Sequence, residues 1–104
     1  MDNVVSQQIP HDSEAEKAVL GAVFLDPEAI IDASDILQPD DFYEHANRIV
    51  FQAMLNISDR EEVIDPVTLQ DELKKNNQVD DIGGIAYVTE LSMATPTAAH
   101  VTYY

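Results

Sequence analysis

Apolar residues in this chain recur every three or four positions, the spacing that places side chains on one face of an α-helix. The clearest stretch spans residues 42–57, and the apolar residues that share a face there are Ala46, Ile49, Val50, Ala53, Met54 and Ile57. Apolar and polar residues nowhere alternate for more than a few positions, as they do in a half-buried strand. The pattern therefore predicts an all-α fold, a compact orthogonal helical bundle of about five helices plus the start of a sixth.

Local signals predict where these helices begin and end. Asp-Pro at residues 26–27 and 65–66 places a good N-cap before a proline that suits the first helical position. Ser13 and Glu16 have the spacing of a capping box, in which the carboxylate reaches back to its own helix start. The predicted helices cover residues 13–25, 27–37, 42–57 and 67–75, then a stretch that opens at Gly83 and is broken at residues 95–97, and a last one from Ala98.

Two expectations concern burial within these helices. The helix over residues 42–57 should be the most buried element, because its apolar face is the widest. In the helix over residues 67–75 only Val67, Leu69 and Leu73 should point inward. On its exposed side, Asp71 and Lys75 have the i, i+4 spacing of an ion pair.

The charge of the chain excludes some classes of partner. Its 20 acidic residues against 5 basic ones give a net charge of −15, which repels phosphate backbones and anionic lipids. The charge argues against direct nucleic-acid binding and favours a basic protein partner, or simply solubility. The chain has no cysteine, signal peptide or apolar stretch near the ~20 residues that span a bilayer, so cytoplasmic localisation is expected.

The paired glycines Gly83 and Gly84 stand where an apolar helix begins, and they allow two interpretations. They could let a phosphate approach the helix N-terminus, or they could let another helix pack closely there. Asp80 and Asp81 precede the pair, and no Lys-Ser or Lys-Thr follows it. Close packing is therefore the favoured interpretation.

Residue types with catalytic or metal-binding capacity form no convincing group. His11, His45 and His100 are far apart, and none has a second histidine at helical spacing. The acidic pairs at residues 40–41 and 80–81 are better explained as helix caps than as calcium ligands. We therefore predict no catalytic residue, cofactor or metal site within this chain.

Four residues are candidates for contacts with a partner. Tyr87 combines an apolar ring with a polar tip, as interface residues often do, although a core tyrosine with a bonded hydroxyl would look the same. Glu14 should be exposed in the first turn of its helix, where it also suits the helix dipole. Tyr103 and Tyr104 leave two aromatic rings exposed unless something packs on them.

Several short motifs, taken together and in order, resemble one family. They are Ile-Pro at 9–10, Glu-Ala-Glu at 14–16, Val-Leu-Gly-Ala-Val-Phe-Leu-Asp at 19–26, Asp-Phe-Tyr at 41–43, Arg-Ile-Val-Phe at 48–51, Ile-Asp-Pro-Val-Thr-Leu at 64–69, Gly-Gly-Ile-Ala-Tyr-Val at 83–88 and Pro-Thr-Ala-Ala-His-Val at 96–101. This set resembles the N-terminal domain of DnaB-type replicative DNA helicases. Asn47 stands where the family often has His, and His100 where Asn is common.

The resemblance implies a domain organisation and a set of partners. Residues 1–9 are polar and unpatterned, which predicts a flexible arm. By the resemblance, residues 10–95 would be a globular helical head and residues 96–104 the start of a truncated helical hairpin. Such domains pair into dimers and form a collar on a hexamer, and the collar docks DnaG-type primase; a helicase loader is a further implied partner. Glu14 and Tyr87 would face the primase, and Tyr103 and Tyr104 would pack on the hairpin or another copy.

The resemblance also separates this chain from the motor. It has no Walker A lysine loop, so ATP, Mg²⁺ and DNA unwinding would belong to a motor domain outside it. The rival hypothesis is a free-standing acidic regulator that mimics nucleic acid or blocks a basic protein. A coding sequence that continues past Tyr104 into a glycine-rich loop ending in Lys-Ser or Lys-Thr would distinguish the two.

Overall fold

The computed structural model describes residues 13–94 of the chain. Within this range there are five α-helices: α1 (Ser13–Leu25), α2 (Ala29–Ile36), α3 (His45–Asp59), α4 (Pro66–Lys75) and α5 (Ile85–Met93). Two 3₁₀ turns, Pro39–Asp41 and Asp80–Ile82, precede α3 and α5. No strand occurs between residues 13 and 94, which confirms the all-α prediction. The predicted arm at residues 1–9, the hairpin start at 96–104 and the helix from Ala98 lie outside the described residues.

Helix α3 is the centre of the bundle. It packs against α1, α2, α4 and both 3₁₀ turns, while α5 packs against α1 and α4. The buried residues of α3 are Asn47, Ile49, Val50, Phe51, Ala53, Met54 and Ile57. The apolar face predicted from the spacing is therefore the core-facing side, and the prediction that this helix is the most buried element is confirmed.

The start of α3 differs from the prediction for a reason visible in the turn before it. Pro39–Asp41 forms a separate 3₁₀ turn, and Phe42 beyond it is extended. The Phe42 ring, only 3% exposed, lies with its centroid 5.0 Å from that of Phe51. Arg48 Nε donates to the Phe42 carbonyl at 2.6 Å and holds this segment against α3. The helix consequently begins at His45 and not at residue 42.

The two Asp-Pro signals have different outcomes. At α4, Asp65 accepts from the Thr68 amide at 2.8 Å, and the Thr68 hydroxyl accepts from the Asp65 amide at 2.9 Å. This reciprocal cap fixes the helix start at Pro66, essentially as predicted. At α2, the Asp26 carboxylate accepts from the Glu28 amide at 3.2 Å, and the helix begins only at Ala29, after a turn.

The glycine pair before α5 is required by backbone conformation. Gly83 and Gly84 have φ of +93° and +96°, in the region that side chains rarely adopt. A Cβ added at either position would meet no atom within 4 Å. The Gly84 amide donates to the Val79 carbonyl at 2.9 Å, which closes the reversal between the 3₁₀ turn and α5. The close-packing interpretation was therefore wrong, because the space beside both glycines is open.

Helix α4 is also less simple than predicted. Leu69 and Leu73 are fully buried, as expected, but Val67 is 65% exposed. Lys75 Nζ lies 3.3 Å from Glu72 Oε1, so Lys75 forms an ion pair with Glu72 at i, i+3 spacing. The predicted ion pair between Lys75 and Asp71 was therefore wrong. Glu72 is the stronger attractor because it sits on the core-facing side, where its charge is poorly hydrated.

Glu72 is a buried carboxylate, 3% exposed, at the junction of α3 and α4. Its Oε1 lies 2.9 Å from Arg60 Nη2, an ion-pair contact whose angle does not form an aligned hydrogen bond. Its Oε2 accepts from Asn56 Nδ2 at 3.2 Å and from Asn76 Nδ2 at 3.0 Å. Burial acts to raise the pKa of Glu72, but Arg60, the two amides and Lys75 outweigh it and lower the pKa to about 2.

Among the residues that the structure describes, none of the helices is both long and apolar enough to cross a membrane.

Candidate functional site

The structure places two of the four predicted partner-binding residues at the junction of α1 and α5. Glu14 lies in the first turn of α1 with its side chain 83% exposed. Tyr87 lies in the first turn of α5, half-buried, with part of its ring against the core. Tyr103 and Tyr104 lie outside the described residues.

Lys17 connects the two helices at this junction. Its Nζ lies 2.6 Å from Glu90 Oε2 on α5 and 3.7 Å from Glu14 Oε2 on its own helix. The hydrogen bond with Glu90 raises the pKa of Lys17, against the opposing effect of burial. Tyr87 lies one turn before Glu90 on α5. We call the group of Glu14, Lys17, Tyr87 and Glu90 the α1–α5 surface.

Tyr87 sits in an acidic environment on this surface. Burial raises the pKa of its phenol, and Lys17 acts against that shift. Three carboxylates raise it further, those of Glu90, Glu44 and Glu16. The phenol therefore stays neutral at physiological pH, and its hydroxyl keeps a proton to donate.

The Tyr87 hydroxyl makes a partly buried hydrogen bond with Oδ1 of Asn47 on α3. Asn47 is fully buried, and its Nδ2 donates to Glu16 Oε1 on α1 at 2.8 Å. The chain of hydrogen bonds from Tyr87 through Asn47 to Glu16 joins α5, α3 and α1. The bonded hydroxyl matches the alternative interpretation of Tyr87 as a core tyrosine, while half-burial leaves its ring within reach of a partner.

The Glu16 carboxylate stabilises the start of a helix other than its own. Its Oε2 accepts from the Tyr43 amide at 2.6 Å, and its Oε1 accepts from the Glu44 amide at 3.3 Å. These amides lie just before α3, where a negative charge also suits the helix dipole. The predicted capping box with Ser13 was therefore wrong, because the carboxylate is engaged 27 residues away.

Sequence reasoning missed Asn47 as part of the site. The signal was present, because Asn47 shares the i, i+3, i+4, i+7 stripe with Val50, Phe51 and Met54, all of which are buried. A polar residue on such a stripe needs hydrogen-bond partners when buried. The identity of those partners depends on contacts over 31 and 40 residues, which the stripe alone does not reveal.

A second concave region lies beside α4. Its cationic side chains already contact carboxylates, with Arg60 Nη2 3.2 Å from Glu62 Oε1 and 2.9 Å from Glu72 Oε1. This pairing leaves little positive potential for an anionic ligand. The residues that line the region are Arg60, Glu62, Thr68, Asp71, Glu72 and Lys75.

The chemistry available at the α1–α5 surface suits the binding of a partner. Between residues 13 and 94, no three His, Asp or Glu side chains are grouped so as to hold a metal ion. Its polar groups are exposed carboxylates, one paired lysine and a neutral phenol. Such a set offers an aromatic contact bordered by negative charge, which favours a partner with cationic side chains.

Comparison with protein families identifies the chain's relatives. The model described as the DnaB-like helicase N-terminal domain matches residues 8–104. The match covers almost the whole chain, including all five helices of the structure.

Individual relatives agree with the family match. The replicative DNA helicase DnaB of Geobacillus stearothermophilus is 52% identical over 105 residues, covering 100% of this chain and 23% of that protein. The replicative DNA helicase DnaC of Bacillus subtilis (strain 168) is 45% identical over 95 residues, covering 91% of this chain and 21% of that protein. This chain therefore spans less than a quarter of the length of these curated relatives.

A solved structure shows the same fold. The crystal structure of the N-terminal domain of DnaB helicase from Mycobacterium tuberculosis superposes with a TM-score of 0.81 at 40% identity. The superposition covers 91% of this chain and 69% of that one.

Proposed function

This chain belongs to the family of DnaB-like helicase N-terminal domains, and from that membership we propose that it serves as the collar domain of a hexameric replicative helicase and docks a DnaG-type primase. It acts as an assembly and docking module with no chemistry of its own. ATP and Mg²⁺ are used by a motor domain outside this chain. The protein works in the cytoplasm, where a helicase loader is a further partner.

The observation that carries the docking proposal is the α1–α5 surface. It brings Glu14 and Tyr87 to the same junction, where Lys17 contacts Glu90 although the two are 73 positions apart in the sequence. Lys17 bridges that separation and orders the surface before any partner arrives. A preformed patch that includes an aromatic ring is the kind of site at which interface energy concentrates.

The charge of the chain supports a scaffold role. A net charge of −15 disfavours contact with the DNA backbone, so the domain would leave DNA to the motor. The same charge attracts basic proteins and speeds their association. Self-association into dimers and a hexameric collar is part of the same proposal, and Tyr103 and Tyr104 are our candidates for packing on the helical hairpin or on another copy.

The location of the docking surface can be tested by amide hydrogen exchange. The full-length helicase is measured alone and with the C-terminal domain of its primase. We expect added protection in the first turns of α1 and α5, with α4 as an internal control that remains unchanged. Protection confined to α4, or no binding at all, would contradict the proposal.

A further inference from the structure

In the hydrogen bonds that join Tyr87, Asn47 and Glu16, chemistry determines which group donates and which accepts. A carboxylate at neutral pH can only accept hydrogen bonds. The backbone amides of Tyr43 and Glu44 already donate to Glu16, which confirms its accepting role. The group that Asn47 turns toward Glu16 must therefore be its NH₂, and the 2.8 Å contact is Nδ2 to Oε1.

The orientation of the Asn47 amide then determines the role of Tyr87. With Nδ2 directed at Glu16, Oδ1 faces α5 and can only accept. The Tyr87 hydroxyl consequently donates its single proton inward, to Asn47 Oδ1. What the phenol oxygen retains for an outside group is its accepting capacity.

We infer that Tyr87 recognises a hydrogen-bond donor on the docked protein, a cationic Arg or Lys side chain, and that Glu16 and Asn47 determine this specificity as positioning residues. The inference rests on the proposed docking function of the α1–α5 surface. It adds the chemistry of the group that meets Tyr87.

The charges around Tyr87 favour a cationic donor over a neutral one. Glu90 lies one turn along α5 from Tyr87, with its side chain 53% exposed, and Glu14, 83% exposed, approaches Lys17 from α1. Lys17 is the cation within this patch, and its ammonium already contacts both carboxylates. An incoming guanidinium or ammonium can donate to the phenol oxygen while it remains close to two negative charges.

A single isosteric substitution should exchange the donor and acceptor in each of these hydrogen bonds. In Glu16→Gln, the oxygen should keep the shorter contact, 2.6 Å from the Tyr43 amide, so the new NH₂ replaces Oε1 and faces Asn47. The longer contact with the Glu44 amide, 3.3 Å, is then lost. The Asn47 amide then flips to accept from Gln, and its Nδ2 donates to the Tyr87 oxygen. The phenol loses its accepting capacity toward the partner and gains an outward proton, with almost no change of shape.

The experiment is a double-mutant cycle in the full-length helicase, titrated with the primase C-terminal domain. We expect Tyr87→Phe and Glu16→Gln each to weaken binding about tenfold, and the double variant to be no weaker than either one. Glu28→Gln, the same chemical change at an exposed glutamate outside the α1–α5 surface, is the matched control and should bind as the unaltered protein does.

Two results would overturn the inference while leaving the docking function intact. One is losses that add in the double variant, because a purely structural role of Glu16 would be independent of the hydroxyl. The other is unchanged binding by Tyr87→Phe. If the unaltered helicase fails to bind the primase domain, the proposed docking function itself fails.

A second test substitutes an exposed side chain, so that the fold is not at risk. Glu90→Gln removes one exposed carboxylate beside Tyr87 and releases Lys17 from its ion pair. If the partner presents a cationic group to this surface, Glu90→Gln should bind it severalfold more weakly, and the binding should depend less on salt. Tighter binding by Glu90→Gln would overturn the inference.

Discussion

The Nδ2 of Asn47 lies 2.8 Å from Oε1 of Glu16, a partly buried contact that links α3 to α1. The same amide accepts from the Tyr87 hydroxyl on α5. One buried side chain thus holds three helices in register beneath the α1–α5 surface. Its loss should affect the stability of the whole head as well as the geometry of Tyr87.

We predict that Asn47→Ala lowers the free energy of unfolding by about 2–4 kcal/mol. The change leaves a cavity and removes one hydrogen bond from Glu16 and another from Tyr87. Urea unfolding followed by circular dichroism measures the loss. Gln52→Ala, an exposed change on the same helix, should stay within about 0.5 kcal/mol of the unaltered protein. Equal losses for the two variants would show that the buried amide has no special role.

Glu72 should make the domain sensitive to acid. Its pKa is lowered to about 2 in the folded state, below the ~4.3 of an unfolded glutamate. The folded state is therefore stabilised above pH ~4.3, and that contribution is lost as pH falls from there toward 2. Melting temperature measured against pH should fall more steeply for the unaltered protein than for Glu72→Gln.

The matched control for this comparison is Glu61→Gln, which changes an exposed glutamate in the neighbouring loop. Its melting temperature should follow the unaltered protein across the same range of pH. Identical acid profiles for Glu72→Gln and Glu61→Gln would contradict the assignment of this acid sensitivity to the buried ion pair.

The two glycines before α5 should differ in the substitutions that they tolerate. Gly83, at φ +93° and ψ +18°, is close to the left-handed helical region, which asparagine can enter. Gly84, at φ +96° and ψ +171°, lies in a region that is essentially restricted to glycine. We expect Gly83→Asn to cost under about 1 kcal/mol of unfolding free energy and Gly84→Asn about 1–3 kcal/mol. Thermal or urea unfolding of the pair tests this order, and equal costs would contradict it.

The sequence was informative wherever structure depends on near neighbours. Periodic apolar residues placed α3 at the core, and Asp65 with Thr68 capped α4 within four positions. It was misleading where a local pattern competes with a distant one. Glu16 has the spacing of a capping box, but its carboxylate accepts from the amide of Tyr43, which the folded chain brings to within 2.6 Å.

The same reasoning explains the other differences. Close helix packing and a positive φ angle both favour glycine. The presence of Gly83 and Gly84 in the sequence therefore could not show which of the two applies, and the backbone angles were needed. Lys75 could reach either an i−4 or an i−3 carboxylate, and burial of Glu72 against Arg60 decided the choice. Of the predicted partner-binding residues, Glu14 and Tyr87 lie at one junction, and their role in docking remains a prediction.

The most direct measurement of the central claim is the affinity of the full-length helicase for the primase C-terminal domain, with Tyr87→Ala and Glu14→Ala compared with the unaltered protein. Calorimetric titration should show binding weakened about tenfold or more by Tyr87→Ala, and less by the exposed Glu14→Ala. Met93→Ala, which shortens a 78% exposed side chain at the other end of α5, should bind normally. Unchanged affinity for Tyr87→Ala, in a protein with an unchanged melting temperature, would contradict the account.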